Sequence, residues 1–527
     1  MVFNFSDCVT NEFVDKSLYT TDKFIIKSKY DLPISEATGS FSTVIGMKSL
    51  DEKNLKYKIK KIKQIFRANK GISEIYSKLE MSRYYLLYLD TLNTFDITEI
   101  IKEYSSDTNL IFCEPNFIGT SAGEKGFGYE YERVSENLNI PNDEKFGMQW
   151  YLQNNGNVSP TGGSKAKIGA DISAPEAWEI ETGNDDLIVA VCDSGIRDDH
   201  PDLKERIWVN KKEVPNNNID DDGNGYIDDV RGWDFAYNTN APHDGFGHGT
   251  NIATVIGAVT NNRIGFAGIN QKCRLMNCKD LGDNNYGEYE WWSEAVQYAV
   301  DNGAKVINMS EGGSDYSNTL KTACEYAYEN NVVVVAAMMN KGNNSNNYPA
   351  AFKTVIAVGA SDTDDKRSVR FSWGGGSCWG KYIAVVAPGN KIYGLDHEDI
   401  LNYETFWSGT SQSTAIVSAI ASLLLTQNPK RTPDEIRNII CKTALDQVGD
   451  PEEDSPGWDQ YYGWGRVDCY RALTMDTSKN YKTIRKQDNI VVTNRKNTKS
   501  DQSGGGPAKS NNPRNNKARE GINRKPE

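Results

Sequence analysis

The chain has 527 residues, of which 38% are hydrophobic and 25% charged, and its formal net charge is −13. This length and composition are typical of a soluble globular protein with two or three domains. The acidic balance argues against nucleic acid as the main partner. No run of about 18 apolar residues occurs, so the sequence predicts no membrane span.

The start of the chain is acidic and lacks the basic-then-apolar order of a secretory signal. The nine cysteines form an odd, thinly spread set. Several of them, such as Cys192 and Cys278, lie in apolar strand-like runs, where a thiol behaves as a small hydrophobic group. These features favour a cytoplasmic location, with secretion as the alternative.

Residues 1–118 alternate strand-like and helical patterns. Strands are expected at 23–27, 84–89 and 110–113, and a short helix at 97–104. We interpret the lysine-rich residues 53–70 as a solvated helix. The sequence therefore predicts a small α+β domain, followed by a flexible linker that begins with the glycine-rich residues 119–128 and extends to residue 141.

From residue 142 to residue 475, short apolar runs alternate with helical patterns. Strands are expected at 187–192, 274–280, 305–309, 332–337, 354–358 and 382–387, and helices at 289–301 and 320–329. This alternation predicts a mostly parallel sheet with helices on both faces, a three-layer α/β fold. Residues 476–527 are basic and without periodicity, which predicts a disordered tail.

Ser411 directly precedes an apolar run at 416–425. A serine in the first turn of a helix is usually only a cap, because its oxygen accepts a hydrogen bond from a free backbone amide. It becomes a nucleophile only where a base and an orienting acid lie beside it.

Two residues are candidates for the acid and the base. His248 stands between glycines, which allow close approach of backbone and ligand. Asp193 ends the apolar strand that begins at residue 187, and the carboxyl ends of parallel strands form the edge where α/β sheets bind ligands. In chain order, Asp193, His248 and Ser411 repeat the order that subtilisin uses.

Three blocks surround these residues: VCDSGIRDDHPDL, GHGTNIA and SGTSQSTA. They resemble the motifs of the subtilisin-like serine proteases, the subtilase or S8 family, and the resemblance extends from about residue 142 to residue 473. It implies a serine endopeptidase that hydrolyses peptide bonds through an acyl-enzyme. His248 would take the proton of Ser411, Asp193 would orient His248, and Asn340 matches the family's side-chain donor to the oxyanion.

The resemblance also implies a substrate groove. Ser310, Glu311 and Gly312 match the edge segment that pairs with an extended peptide, and Gly287 ends the opposing edge. Met339 replaces a glycine, so we expect a narrowed pocket for the residue before the cut bond. Glu311 replaces an apolar residue, which indicates either a preference for basic or polar substrate side chains or a solvated surface carboxylate.

Other departures from the family lie at Asn251, Gln412 and Ala415. Met339, Gln412 and Ala415 motivate an alternative function, a catalytically impaired protein that binds extended peptides in the same groove. A protease dedicated to the maturation of one precursor is a further alternative that shares the same three residues.

A calcium-loop spacing lies between the acid and the base. It places oxygens at Asp220, Asp222, Asn224 and Asp228, but Arg231 occupies the twelfth position, where an EF-hand has glutamate. We therefore predict that this loop binds structural Ca²⁺, although it is not an EF-hand. The alternative is a turn that binds no metal. The family resemblance implies a second calcium site at Asp202 and Asn262.

Residues 112–117 resemble the end of a subtilisin-type propeptide, which assists folding and blocks the active site until it is cut. We expect residues 1–118 to be such a domain, with self-processing within 118–141 and a catalytic domain at 142–475. Residues 33–70 do not fit the family pattern and are interpreted as an insertion. The expected partners are a peptide or protein substrate and the chain's own propeptide, and the enzyme is expected to be a monomer.

Overall fold

Short β-branched runs form the centre of the molecule, because strands that are covered on both faces need apolar side chains on both. In the computed structural model seven strands form one parallel sheet in the order β14-β13-β12-β10-β6-β8-β7. Their bounds are β6 Ile188–Asp193, β7 Trp233–Asp234, β8 Arg274–Lys279, β10 Val306–Met309, β12 Val333–Ala337, β13 Val355–Ser361 and β14 Val385–Pro388. The predicted three-layer α/β fold is confirmed.

Helices cover both faces of this sheet. One face carries the helix after Ser411 and its neighbours, and the other face carries two helices from the middle of the chain. The bounds are α4 Ala174–Trp178, α5 His248–Gly257, α6 Tyr289–Asp301, α7 Asn318–Glu329, α8 Thr410–Gln427, α9 Pro433–Thr443 and α10 Cys469–Thr474. Both helices expected in this part are present, and α7 begins two residues earlier than predicted.

The structure describes residues 19–33, 43–68, 73–90, 95–127, 140–156 and 166–475. The predicted basic tail, the acidic start of the chain and most of the linker lie outside these ranges. Within them, no helix is long and apolar enough to cross a membrane.

The N-terminal part forms a second, antiparallel sheet in which β4 lies beside β1, then β3 and β2. Its elements are β1 Tyr19–Ser28, α1 Lys48–Lys56, β2 Ile59–Gln64, α2 Glu74–Lys78, β3 Tyr84–Leu89, α3 Ile97–Ser105 and β4 Leu110–Ser121. The predicted helix at 53–70 is wrong, since α1 ends at Lys56 and β2 follows. Because β2 is a strand of this sheet, the 33–70 region includes part of the domain's framework.

Alternation along the strands gives this sheet two apolar faces. Phe24 and Leu87 pack with the domain's own helices, whereas Ile25 and Leu86 belong to the buried cluster around α6 and α7. The N-terminal domain therefore docks on the two helices that cover one face of the central sheet.

Five further short strands complete the fold. They are β5 Glu124–Phe127, β9 Gly287–Glu288, β11 Glu311–Gly312, β15 Ile392–Tyr393 and β16 Thr405–Ser408. β4 pairs with β9 and β11, and β5 pairs with β16, so residues 118–127 run across the part of the molecule that is built around the central sheet.

Candidate active site

Asp193 and His248 meet at the carboxyl edge of the central sheet. Asp193 is the last residue of β6, and His248 is the first residue of α5. The imidazole Nδ1 lies 2.7 Å from Asp193 Oδ1, and both side chains are fully buried. Gly249 permits this close approach, because a Cβ there would overlap the carbonyl oxygen of Gly195.

Ser411 lies in the first turn of α8, beside this pair. Its hydroxyl donates to the carbonyl oxygen of Ser310 at 2.8 Å, and the Ser310 hydroxyl donates to the carbonyl oxygen of Ser411 at 2.9 Å. Within the described residues, Nε2 of His248 has no hydrogen-bond partner. The serine hydroxyl therefore has to turn away from Ser310 before it can give its proton to His248.

Asn340, just after β12, is held by the start of α8. Its Oδ1 accepts from the backbone N–H of Thr410 at 3.0 Å, which directs the amide nitrogen outward. That nitrogen donates to the carbonyl oxygen of Ala122 at 2.6 Å, and the backbone N–H of Ser411 donates to the same oxygen at 3.1 Å. Two donors on one carbonyl oxygen form the geometry of an oxyanion hole.

The carbonyl in this position comes from the chain's own β4. On one side Ile118 and Gly119 pair with β9, and on the other Thr120 and Ser121 pair with β11. Ala122 then donates its N–H to the carbonyl oxygen of Ser310 at 2.9 Å. This is addition of a strand between two edges. The four residues expected to line the groove, Gly287, Ser310, Glu311 and Gly312, all contact the strand through their backbones.

The strand continues beyond Ala122 on the other side of Ser411. Residues 124–127 form β5 and pair in antiparallel register with β16, Glu124 opposite Ser408 and Phe127 opposite Thr405. The bond between Ala122 and Gly123 consequently lies at Ser411. The part of the glycine-rich stretch that the structure describes, residues 119–127, lies in β4 and β5 except for Ala122 and Gly123.

Both interpretations of Glu311 from the sequence, a contact to substrate side chains and a solvated carboxylate, are wrong, because the side chain is fully buried. Within the described residues no N–H group of another residue reaches its oxygens or those of the buried Asp280, and the two carboxyls can bond each other only where one of them holds a proton. Burial raises the pKa of Glu311 well above its ordinary value, and the neighbouring Asp280 and Asp193 add to the rise. Glu311 therefore presents no carboxylate to a substrate side chain or to solvent.

Met339 lies beside the oxyanion residues in the left-handed region, with φ of 72°. Its thioether packs towards Gly312, where a Cβ would lie only 2.9 Å from Sδ. Ala122 belongs to the same buried cluster as Met338 and Met339. A buried methyl group thus occupies the position before the bond at Ser411, and Met339 fills space beside Gly312 where a glycine was expected.

The calcium-loop residues separate into two groups in the structure. Asp220 and Asp222 come together with Glu213, and one oxygen of each lies within 4.8 Å of the others. Asn224 instead binds Asp229 and the N–H of Tyr226, and Asp228 accepts from the backbone of residues 217 and 218. Glu213 precedes the twelve-residue window, so loop spacing gave no signal for it.

The second predicted pair is in contact. Asn262 donates to Asp202 Oδ1 at 2.7 Å, and the N–H of Phe266 donates to Oδ2 at 2.9 Å. Burial, with the neighbouring carboxylate of Asp143 as a further cause, raises the pKa of Asp202 to about 7. Two buried carboxylates and an amide are a donor set that suits Ca²⁺, and sequence reasoning had missed Asp143.

Comparison with known proteins agrees with this geometry. The Subtilase family profile matches residues 184–465, which is more than half of the chain. The chain belongs to the subtilase family. It is similar to thermitase of Thermoactinomyces vulgaris, with 35% identity over 302 residues that cover 57% of this chain and 93% of thermitase. This subtilase is accordingly a subtilisin-like serine endopeptidase.

Two further similarities extend beyond the catalytic region. A cell wall-associated protease of Bacillus subtilis (strain 168) is 28% identical over 505 residues, which cover 88% of this subtilase and 52% of that protein. The crystal structure of fervidolysin from Fervidobacterium pennivorans matches with a TM-score of 0.60 and 20% identity, over 88% of this chain and 62% of that one. At this identity the fervidolysin match supports the fold alone.

Proposed function

We propose that this subtilase is made as a zymogen and cuts its own chain between Ala122 and Gly123. The observation that carries the proposal is the Ala122 carbonyl oxygen, which accepts from Asn340 at 2.6 Å and from the Ser411 amide at 3.1 Å. A substrate carbonyl needs these donors where negative charge develops. Residues 1–122 then act as a propeptide whose last strand fills the groove.

The chemistry follows from the positions of three side chains. Ser411 Oγ attacks the carbonyl carbon of Ala122 while His248 Nε2 takes the hydroxyl proton, and Asp193 stabilises the imidazolium from the other side of the ring. The C–N bond to Gly123 breaks as His248 returns the proton to the leaving amine. Water then hydrolyses the acyl-enzyme by the same route, which releases the Ala122 carboxylate.

Ser411→Ala tests this function directly. We expect wild-type chain to yield a fragment that begins at Gly123 and to react with a fluorophosphonate probe, whereas Ser411→Ala stays at full length and does not react. Intact-mass measurement and N-terminal sequencing are the readouts. The catalytically impaired alternative predicts full-length chain in both, and the family comparison does not favour it. A wild-type cut elsewhere would refute the assignment of the bond.

We further propose that Ca²⁺ stabilises two loops. Glu213, Asp220 and Asp222 would hold one ion, and Asp143, Asp202 and Asn262 another. The group around Glu213 fits because its three carboxylates converge, and bound Ca²⁺ would offset their repulsion. An ion that binds only the folded chain raises the melting temperature. Ca²⁺ should therefore raise it relative to chelator, by less in Asp222→Asn, whereas Asp186→Asn on another surface should respond like wild type.

We propose an extracellular place of action, the alternative to the predicted cytoplasmic location. Relatives include an extracellular serine protease of Natrialba magadii and the cell wall-associated protease. The cysteine argument for the cytoplasm is weak, because seven of the eight cysteines in the described residues are buried, where thiols act as small hydrophobic groups in either compartment. Fractionation of cells that make a tagged chain distinguishes the two locations.

A further inference from the structure

Three small residues of the bound strand lie in the groove around the cut bond. They are Gly119, Ala122 and Gly123, the fourth and first residues before the cut bond and the first residue after it. Gly119 and Ala122 are buried in the groove.

The wall at Gly119 is the indole ring of Trp292. A Cβ on residue 119 would overlap this ring and lie 2.7 Å from the carbonyl oxygen of Gly312. The indole cannot easily yield, because it is fully buried and stacks on Tyr289 with ring centres 4.7 Å apart and an interplanar angle of 25°. Gly119 does not have a left-handed φ, so space and not backbone conformation demands glycine here.

The wall at Gly123 is formed by His248 and Gln412. A Cβ on residue 123 would lie 3.0 Å from His248 Nε2 and 3.0 Å from Gln412 Oε1, closer than side chains ordinarily pack. Gln412 is fixed in turn, since its Nε2 donates to Asn251 Oδ1 at 3.2 Å. Gln412 and Asn251, which both depart from the family pattern, are thus hydrogen-bonded to each other. Gln412 narrows the groove at the residue that follows the cut bond.

We propose that this subtilase selects extended peptides with glycine four residues before the cut, alanine directly before it and glycine directly after it. Trp292 excludes a side chain at the first of these positions and Gln412 limits the third, while the second is filled by the buried Ala122, which belongs to the same apolar cluster as Met339. The inference rests on the proposed function, because it takes the seated strand as a substrate.

The chain's own sequence agrees with this selectivity. Ala-Gly occurs only twice in the 527 residues, at 122–123 and at 267–268. The first has Gly119 at the required position, whereas the second has Ile264 there and lies in the folded domain. One bond of the chain satisfies all three conditions.

The test uses the full chain in cell-free synthesis, with pulse labelling and the rate of appearance of the fragment that begins at Gly123. We expect Gly119→Ala to slow this self-cleavage by about 10- to 100-fold, the range that overpacking a fixed wall produces. The double variant Gly119→Ala/Trp292→Leu should recover to within a few-fold of Trp292→Leu alone. Thr120→Ala, an exposed neighbour on the same strand, should cleave like wild type.

A matched control separates the wall from general damage to helix α6. Trp291→Leu changes the adjacent, half-buried tryptophan and should not rescue Gly119→Ala. In a second arm, processed wild-type enzyme is given peptides that span residues 116–127, with glycine, alanine or leucine at position 119; cleavage should fall in that order. This arm keeps the test valid where a chain variant fails to fold.

The outcomes distinguish two failures. Equal cleavage of the glycine and leucine peptides by wild-type enzyme, or no rescue of the Gly119→Ala chain by Trp292→Leu, overturns the selectivity while the proposed function stands. Absence of any Ser411-dependent cleavage, in the chain and in every peptide, overturns the proposed function itself.

Discussion

The catalytic domain has two large helix interfaces that differ in charge. Helix α8 packs on the central sheet through buried aliphatic residues such as Ile420 and Leu423, and its serines make neutral hydrogen bonds. Helix α6 meets the N-terminal domain through ions as well as apolar groups. Lys63 lies 2.7 Å from Glu290 and 2.6 Å from Glu294.

This difference suits the proposed processing, in which the first interface is permanent and the second separates. Exposing the aliphatic surface of α8 would be costly in any state of the protein. The glutamates of α6 are costly only while they are buried, because departure of the N-terminal domain returns them to water. The glutamates therefore keep part of the docking surface on α6 polar after the N-terminal domain has left.

The largest expected effect comes from Lys63→Met in the uncleavable Ser411→Ala chain. The substitution leaves two buried glutamates without their cation, which should cost about 3–5 kcal/mol of unfolding free energy. Urea denaturation measures this loss of unfolding free energy. The control is Lys60→Met, which changes an exposed lysine on the same strand. In processed wild-type enzyme freed of the N-terminal fragment, Lys63 is absent. A similar loss in Lys60→Met would show that the ion network is not the cause.

Leu423→Ala tests the neutral interface. Removal of a fully buried leucine from α8 should cost about 3 kcal/mol. Because this interface persists after processing, the loss should be the same in the uncleavable chain and in the processed enzyme. Thr426→Ala, near the helix end, should change either form much less. A loss confined to the unprocessed chain would contradict the distinction between the two interfaces.

The sequence predicted the central fold because its strands are continuous apolar runs. It failed at β2, where lysines outnumber apolar residues. Lys63 is one of these lysines, and in the structure its charge is largely buried against Glu290 and Glu294. A charge that is neutralised by a distant part of the chain has no local signal, so the pattern indicated a solvated helix instead.

The site shows the same limit. Asp193, His248, Ser411 and Asn340 stand in recognisable blocks, and the structure brings all four together. Trp292, in contrast, looks like any aromatic on the buried side of an amphipathic helix. Its position opposite Gly119 depends on how β4 enters the groove, 173 residues away in the chain. Only the assembled groove shows which glycine is required.

Glu311→Leu should stabilise the protein, because it removes a fully buried carboxyl whose neighbours Asp280 and Asp193 are also acidic. Its pKa is raised in the folded state, so the folded chain retains a proton that the unfolded chain releases above about pH 4.3. The free energy of unfolding therefore falls as pH rises from that value through the pKa of Glu311 in the folded chain. Asp280, Asp193 and Lys279 are the other ionisable groups in this environment. We expect a gain of about 1–3 kcal/mol at pH 8 and a smaller one at pH 5.

Urea denaturation at the two pH values measures this gain. Glu311→Gln serves as the matched variant, because it removes the titrating group and keeps the shape and polarity. Both variants should show a shallower pH dependence than the wild-type side chain in the same Ser411→Ala background. A gain that is larger at pH 5 than at pH 8 would mean that Glu311 is ionised in the folded chain.

The smallest effect belongs to Glu114, which the N-terminal domain contributes to helix α7. Its carboxylate accepts from the backbone N–H groups of Asn318 and Thr319 at 3.0 and 3.1 Å, at the helix end where negative charge is favourable. Glu114→Gln keeps the shape but removes the charge, and should cost the Ser411→Ala chain about 1 kcal/mol. Glu99→Gln, at an exposed position on α3, is the control for loss of one carboxylate.

The processed enzyme, separated from its N-terminal fragment, holds no Glu114. Helix α7 there must rely on its own Ser317 cap, whose hydroxyl accepts from the N–H of Leu320 at 3.2 Å. If Glu114→Gln leaves the unprocessed chain as stable as Glu99→Gln does, the Ser317 cap alone is sufficient and the glutamate adds no stability to the docked state.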